Sequence, residues 1–219
     1  MKKHYAVFGL GQFGGSLVKE LSDMDLEVLA VDNDPLKVKE YSKIATHAVQ
    51  ANAVDENILK ELGVRNVDHA FVSFGENIEA SILTSLLLKE IGVPIVWAKA
   101  QNSYHHKVLS RIGVERVIHP EREMAKKIAH HVTNDNIVDF IELSKDHSIV
   151  EILASNKFDN KSILQLDIRN KYGCNIIGIQ RNEETIISPA ADQMIQKNDI
   201  LIIVGQNKDI ERFEKKGGQ

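Results

Sequence analysis

The sequence predicts an α/β protein, a doubly wound parallel sheet followed by a small α+β C-terminal lobe, and three observations carry that prediction. Short, uninterrupted apolar runs take turns with helical patterns through the first 120 residues. Within those runs the apolar residues are continuous rather than alternating, as expected where helices cover both faces of a parallel sheet. After His119-Pro120 the regular turn-taking stops and the chain becomes strand-rich. Strands and helices in strict succession specify the doubly wound class.

Taken in order, Tyr5-Ala-Val-Phe, Glu27-Val-Leu-Ala-Val, Ala48-Val, His69-Ala-Phe-Val-Ser-Phe and Ile95-Val-Trp-Ala read as buried strands. Between and after them Phe13 to Met24, Pro35 to Lys43, Glu56 to Leu62, Ile78 to Ile91 and Tyr104 to Ile112 carry apolar residues at helical spacing. Gly63, Gly92 and Gly113 each follow a helical run by one residue, where a left-handed cap is commonly required. Glu121 to Val132 predicts a polar, basic helix with a thin apolar stripe, suited to crossing between two bodies. A boundary is expected near Asn134, giving a first domain over 1–134, crossover helix included, and a second over 135–219. In the second, Ile137 to Leu143, Ile149 to Leu153, Asn175 to Gln180, Thr185 to Ile187 and Asp199 to Val204 read as strands, with helices over Ser162 to Lys171 and Asn207 to Phe213. There is no internal repeat and no low-complexity segment.

Composition narrows the function classes. The 219 residues are 43% apolar and 26% charged, an ordinary globular balance. The net charge of −4 argues against a nucleic-acid-binding surface, which is usually basic. The single cysteine, Cys174, excludes an internal disulfide, fits a reducing compartment, and reads as a small buried hydrophobe rather than a nucleophile. No stretch approaches the roughly 20 apolar residues of a spanning helix; the richest window, Ile82 to Leu88, contains Thr84 and Ser85 and stops at Lys89-Glu90. The first residues run straight into a strand, leaving no room for a signal peptide, so a cytoplasmic, soluble protein is expected.

The sharpest local signal is Gly9-Leu10-Gly11-Gln12-Phe13-Gly14, directly after one strand and opening an amphipathic helix. Gly9 permits the tight turn, Gly11 lets backbone approach a phosphate, and Gly14 lets helix and strand pack closely, which is the Rossmann-like arrangement. Unpaired N–H groups at the helix start then face an anion. Asp32 ends the second strand 18 residues after Gly14, where a carboxylate accepts hydrogen bonds from ribose hydroxyls and repels a 2′-phosphate. Ligands in such folds bind beyond the C-terminal ends of the strands, which points to Asn33, Asn52-Ala53, Ser73-Phe74-Gly75, Lys99 and Gln101.

The order Gly9-x-Gly-x-x-Gly14, Val31-Asp32, Ala51-Asn52-Ala53, Lys99-Ala-Gln101 and His119-Pro120-Glu121 resembles the RCK (regulator of potassium conductance) family, in particular the cytosolic gating subunits of Ktr-type potassium uptake systems, over essentially the whole chain. The resemblance implies a non-enzymatic subunit whose dimers assemble into an octameric ring on a separate membrane potassium channel subunit of the KtrB or KtrD type. It implies an ATP/ADP site in which Gly9, Gly11 and Gly14 cradle phosphates, Gln12 and Phe13 of the same loop also bind the nucleotide, Asp32 holds ribose, and Asn33, Asn52, Ala53 and Lys99 line the cleft. Glu121 would help hold a divalent cation beside the phosphates, the only way a carboxylate sits comfortably near polyphosphate. Close relatives carry Arg where this chain has Gln12, which weakens discrimination of ATP from ADP through that residue. The C-terminal lobe resembles the RCK_C (TrkA_C) domain and by that likeness binds cyclic di-AMP across a dimer interface, using Ile163, Asp167, Ile168, Arg169, Asn175, Ile176 and Pro189. An arginine there can meet phosphate bidentately; spacing alone equally describes a dimer core of isoleucines with a surface Arg–Asp pair.

Other readings stay open at this point. The glycine loop with Asp32 also describes an NAD-dependent oxidoreductase, although the 85 residues after Asn134 hold one histidine, His147, in a polar turn. A regulator sensing NAD(H), and an assembly scaffold with a vestigial site, are the further alternatives. The adjacent pairs His105-His106 and His130-His131 diverge by about 100° on a helix, and with His119 they lack partners at zinc-ligand spacing.

Overall fold

The computed structural model describes residues 3–133 and 137–217. The chain divides into two compact units, Met1–Glu121 and Arg122–Gln219. The expected boundary near Asn134 lies outside the described residues. The division falls two residues into the crossover helix, whose later residues bond onward, Lys126 to Glu142 and Lys127 to Asp139.

The first unit is a six-stranded parallel sheet, β1 (His4–Phe8), β2 (Glu27–Asp32), β3 (His47–Gln50), β4 (His69–Val72), β5 (Ile95–Lys99) and β6 (Arg116–Ile118), in the order β3-β2-β1-β4-β5-β6. Helices α1 (Gln12–Asp23) and α2 (Pro35–Tyr41) bury Val18, Leu21 and Tyr41 on one face, against Val7, Val28 and Ala30. Helices α3 (Glu56–Glu61), α4 (Ile78–Ile91) and α5 (Ser103–Arg111) bury Leu59, Leu88 and Leu109 on the other, against Ala6, Phe8, Val72 and Val96. The alternating side-chain directions of each strand feed two cores, which is why the strands read as continuous apolar runs. Strand order reverses between β1 and β4, and a crevice opens at such a switch point.

In the second unit, α6 (Pro120–Thr133) precedes β7 (Ile137–Glu142), β8 (His147–Leu153), β9 (Lys161–Ser162), α7 (Ile163–Leu166), α8 (Ile168–Tyr172), β10 (Asn175–Arg181), β11 (Glu184–Ile187), β12 (Met194–Ile195), β13 (Ile200–Gln206) and α9 (Asn207–Gly217). Its main sheet runs β11-β10-β13-β8-β7, all antiparallel. Phe213 of α9 packs on Phe158 and Tyr172 over a core of Ile152, Ile179, Leu201 and Ile203.

Three elements differ from expectation. Strand β6 is absent from the sequence reading because Arg116-Val117-Ile118 is too short to carry a period. The two-residue pair β9 and β12 is missed for the same reason. The helix expected over Ser162 to Lys171 is two short helices. Asp167 adopts φ 49 and breaks the run, its carboxylate accepting from the Asn170 amide, while Ser162 and Gln165 form a capping box at the start of α7.

Candidate nucleotide site

A cleft of about 620 Å³ opens at the switch point, lined from the ends of four strands: Gly9 and Gly11 after β1, Asp32 and Asn33 at β2, Asn52 and Ala53 after β3, and Ser73 to Asn77 after β4. The first turn of α2 adds Lys37, and α4 adds Glu79, Ala80 and Leu83. The local folding of each wall follows from its residues. Gly9 turns the chain at φ 94, its N–H donating to the Val31 carbonyl at 2.8 Å. A side chain there would also meet the Ser73 carbonyl oxygen at 2.6 Å. Gly14 lies so close to the Gly9 carbonyl that a Cβ would sit 1.9 Å from its oxygen, so the start of α1 is pressed onto the turn. At Gly11 a Cβ meets nothing within 4 Å. Its φ of −70 suits any residue, so the glycine leaves space in the cleft rather than supplying a special backbone.

Asp32 is 5% exposed and its two oxygens are held from different sides. Oδ2 accepts the Leu10 N–H at 2.7 Å, Oδ1 accepts the Asp34 N–H at 2.9 Å, and the Lys37 ammonium stands 3.6 Å from Oδ2. The carboxylate therefore clamps the glycine loop to the end of β2 as well as facing the cleft. Asn77 caps α4 by accepting from the Ala80 N–H, and Asp34 caps α2 by accepting from the Leu36 N–H, so both flanking helices begin at the rim.

The structure gathers Gly9, Gly11, Asp32, Asn33, Asn52 and Ala53 around one cleft, and leaves other expected residues outside its lining. Gln12 and Phe13 are the first residues of α1 and do not line it, and Gly14 is covered by the turn it packs against. Lys99 is also not in the lining. Its ammonium hydrogen-bonds to Glu121, and that bond holds the Glu121 carboxyl below the usual carboxylate range. Gln101 donates to the Gly75 carbonyl and fastens the β5–α5 loop to the β4–α4 loop.

A cation expected at Glu121 is therefore matched against a carboxylate already paired with an ammonium. Among the described residues no group of three or more His, Cys, Asp or Glu converges as metal ligands. A divalent cation at Glu121 would have to displace the Lys99 ammonium and take its other ligands from phosphate oxygens or from a second copy of the chain. The fold does bring His106 and His119 together, Nδ1 to Nε2 at 2.9 Å, with rings 12° from coplanar and centroids 5.2 Å apart. That centroid distance is about the nitrogen separation plus the two ring radii, so the rings meet edge to edge through one N–H···N bond. One of these two nitrogens donates its N–H and the other accepts with its lone pair, so the pair does not form a chelating fork. His105 is buried, its Nδ1 accepting from the Gln101 N–H at 3.3 Å, and burial first, with His119 second, lowers its pKa. The side chains of His130 and His131 lie outside the described residues.

In the second unit, the residues expected at a second ligand surface converge through the backbone. The Ile163 N–H donates to the Gln193 carbonyl at 3.1 Å, and the Leu164 N–H to the Ala191 carbonyl at 2.8 Å. The Ser188 N–H donates to the Ile177 carbonyl at 2.9 Å, so the segment holding Pro189 joins α7 to β10. Arg169 and Asn175 are exposed. Ile168 differs from its companions: it is buried in the lobe's own core, whereas Ile163 and Ile176 are partly open. The residue sequence reasoning missed at the first site is Lys37. Its signal was available, a cation five positions after the ribose-type aspartate at the start of a helix.

Comparison with known proteins then gives the following. Residues 5–120 match the TrkA-N domain and residues 147–216 the TrkA-C domain. The chain is 55% identical to Ktr system potassium uptake protein C of Bacillus subtilis (strain 168) over 216 residues, 99% of this chain and 98% of that protein. It is 52% identical to Ktr system potassium uptake protein A of the same organism over 215 residues, 98% of this chain and 97% of that one. Among solved structures the GsuK channel superposes with a TM-score of 0.71 at 16% identity, over 98% of this chain and 39% of the channel chain, which is a likeness of fold.

Proposed function

The chain belongs to the TrkA-N/TrkA-C family, and from that premise we propose that it is the regulatory subunit of a Ktr-type potassium uptake system. The observation that carries this reading is the full-length correspondence, at 55% identity, with a Ktr potassium uptake protein. No helix among the described residues is long and apolar enough to cross a membrane, so the permeation path in this reading belongs to a separate membrane subunit. The protein works as a homo-oligomer, dimers assembled into an octameric ring, at the cytoplasmic face of that subunit.

Adenine nucleotide occupies the switch-point cleft, phosphates at Gly9 and Gly11, ribose at Asp32, the nucleoside among Asn33, Asn52 and Ala53. Cyclic di-AMP occupies the second lobe at Ile163, Asp167, Arg169, Asn175, Ile176 and Pro189. Neither ligand is turned over. The full-length correspondence with Ktr potassium uptake proteins favours sensing over hydride chemistry. Each ligand acts only by binding one ring shape more tightly than the other.

A specific observation favours a second reading for the nucleotide. The cleft lining holds Asp32, Glu76 and Glu79 against Lys37 alone, with Gln12 uncharged and Lys99 engaged elsewhere. A diphosphate-bridged dinucleotide, NAD(H), carries less charge into such a lining than ATP does. The test is potassium flux in vesicles containing the membrane subunit, with this protein added alongside ATP, ADP, NADH or cyclic di-AMP. Flux that depends on the added protein and changes between ATP and ADP supports the first reading. A response to NADH alone replaces it with the second, and flux indifferent to the protein overturns both.

A further inference from the structure

We infer that Thr84 is a positioning residue of the cleft: from the buried side of α4 it fixes the β3–α3 turn that the nucleoside meets. The inference rests on the nucleotide reading above and deepens it, adding a residue that shapes the site without touching the ligand. Asn52, Ala53 and Val54 of that turn line the cleft, as do Ala80 and Leu83 of α4. The turn is held at both ends by short-range and sheet bonds. At its entry the Ala51 N–H donates to the Asp32 carbonyl at 3.0 Å, and at its exit Asp55 caps α3 by accepting from the Asn57 N–H at 2.9 Å. The Asp55 N–H closes the turn on the Asn52 carbonyl at 3.2 Å. Its middle is held by a bond from elsewhere in the chain. The Thr84 hydroxyl donates to the Ala53 carbonyl at 3.0 Å, across 31 positions of sequence.

A hydroxyl inside a helix commonly returns to the carbonyl one turn back, whereas that of Thr84 leaves its helix for another element. Thr84 is wholly buried and stands off the cleft lining, so it reaches the turn without meeting a ligand. Ser81 and Ser85 share the buried stripe of α4, and among the described residues their hydroxyls have no hydrogen-bond partner. Of these three hydroxyls, the paired one is the one that meets the turn. Ala53 is itself buried, and a buried carbonyl stripped of its donor turns to find another. The peptide joining Ala53 to Val54 is planar, so holding its carbonyl on α4 also sets the direction of the Val54 N–H. Rotation of that peptide moves two residues of the cleft wall. Gly9, Gly11 and Asp32 belong to other strands and keep their places.

The experiment measures dissociation constants by titration calorimetry for ADP and GDP, which share sugar and phosphates and differ in the base. It uses the full chain as wild type, Thr84→Val, Thr84→Ser and Ser85→Ala. Wild type is expected to prefer ADP. Thr84→Val keeps the side-chain shape without the hydroxyl, and weakens ADP about tenfold, the scale of one hydrogen bond, while GDP changes by less than about twofold. Thr84→Ser returns the hydroxyl and brings ADP back to within about twofold of wild type, and Ser85→Ala, which removes an unpaired hydroxyl of the same helix, leaves it there. Circular dichroism melts keep every titration below the unfolding transition, and Thr84→Ala replaces Thr84→Val if the latter does not fold. An ADP affinity unchanged in Thr84→Val, a loss equal for ADP and GDP, or a loss that Thr84→Ser does not recover overturns this inference alone, as does a wild type that binds GDP as tightly as ADP. Wild-type protein that ignores ADP at millimolar concentration overturns the nucleotide reading, and this inference with it.

Discussion

Two glycines of the same loop make opposite predictions, and the contrast tests whether the cleft has been read correctly. In Gly14→Ala the new Cβ would lie 1.9 Å from the Gly9 carbonyl oxygen and 3.1 Å from its carbon. The neighbour is backbone, fixed by the Gly9 N–H bond to Val31, so no side chain can swing aside. The turn or the start of α1 must move by more than an ångström, and the cost belongs at the top of the overpacking range, about 3 kcal/mol. For a unit of this size that lowers the melting temperature by roughly 10 °C. In Gly11→Ala the methyl meets nothing, and the backbone conformation is open to alanine. Loss of a glycine at the helix cap costs only a few tenths to about 1 kcal/mol. The methyl does, however, enter the space where backbone and phosphate would approach, so nucleotide affinity falls by about tenfold or more, ~1.4 kcal/mol. Circular dichroism melts and ADP calorimetry on both variants separate the effects. The reasoning fails if Gly14→Ala melts with wild type, or if Gly11→Ala loses stability while binding ADP normally.

The remaining predictions concern stability and chemistry outside the cleft. Cys174 is wholly buried and burial pushes its thiol up to about 11, so iodoacetamide at pH 8 is expected to label it only at the rate of unfolding; rapid labelling of native protein would contradict the packing. Arg181 binds Asp199 through two nitrogens at 2.8 Å, and Asp199 is 1% exposed, so Arg181→Ala strands a buried carboxylate and destabilises the second unit by about 3 kcal/mol in urea unfolding. Burial lowers the pKa of His105 below its ordinary value, so the unfolded chain takes up its proton first as pH falls. The stability that His105 contributes is complete above pH 6.5 and declines below it, and urea midpoints between pH 7.5 and 5.5 should fall more steeply in wild type than in His105→Asn.

The parallel sheet was legible because each of its strands except one is an apolar run long enough to be seen beside its helix. Glycine spacing located the turn after β1, and Asp32 located the end of β2, since both positions tolerate few alternatives. Strand β6 and the β9–β12 pair escaped because a sheet can recruit two or three residues on pairing energy that no local pattern announces. Asp167 escaped because only its φ, and not its type, breaks the helix there. The pairing of His106 with His119 was invisible for a related reason. Their separation of 13 positions has no periodic meaning, and only the return of β6 alongside β5 brings them within one hydrogen bond.

The site shows the same division between what residue type reveals and what only geometry can. Sequence reasoning placed Lys99 and Asp32 alike at the ends of strands, Lys99 on the lining of the cleft and Asp32 as a ribose ligand. Geometry separates them. Lys99 turns to Glu121, and Asp32 is held by two backbone N–H groups, one on each oxygen, which leaves a further acceptor position on each oxygen. Such a carboxylate is at once a clamp between the glycine loop and β2 and an acceptor on the cleft wall. Beside it stands the Lys37 ammonium, so this end of the cleft carries one charge of each sign. In the proposed reading the phosphates lie at the other end, where Gln12 is off the lining and the cleft has no cationic side chain, so their affinity would come from backbone N–H groups or from outside the single chain. A contribution from a neighbouring copy would tie occupancy of that end to assembly, the arrangement the proposed regulatory subunit needs if nucleotide is to alter how its copies meet.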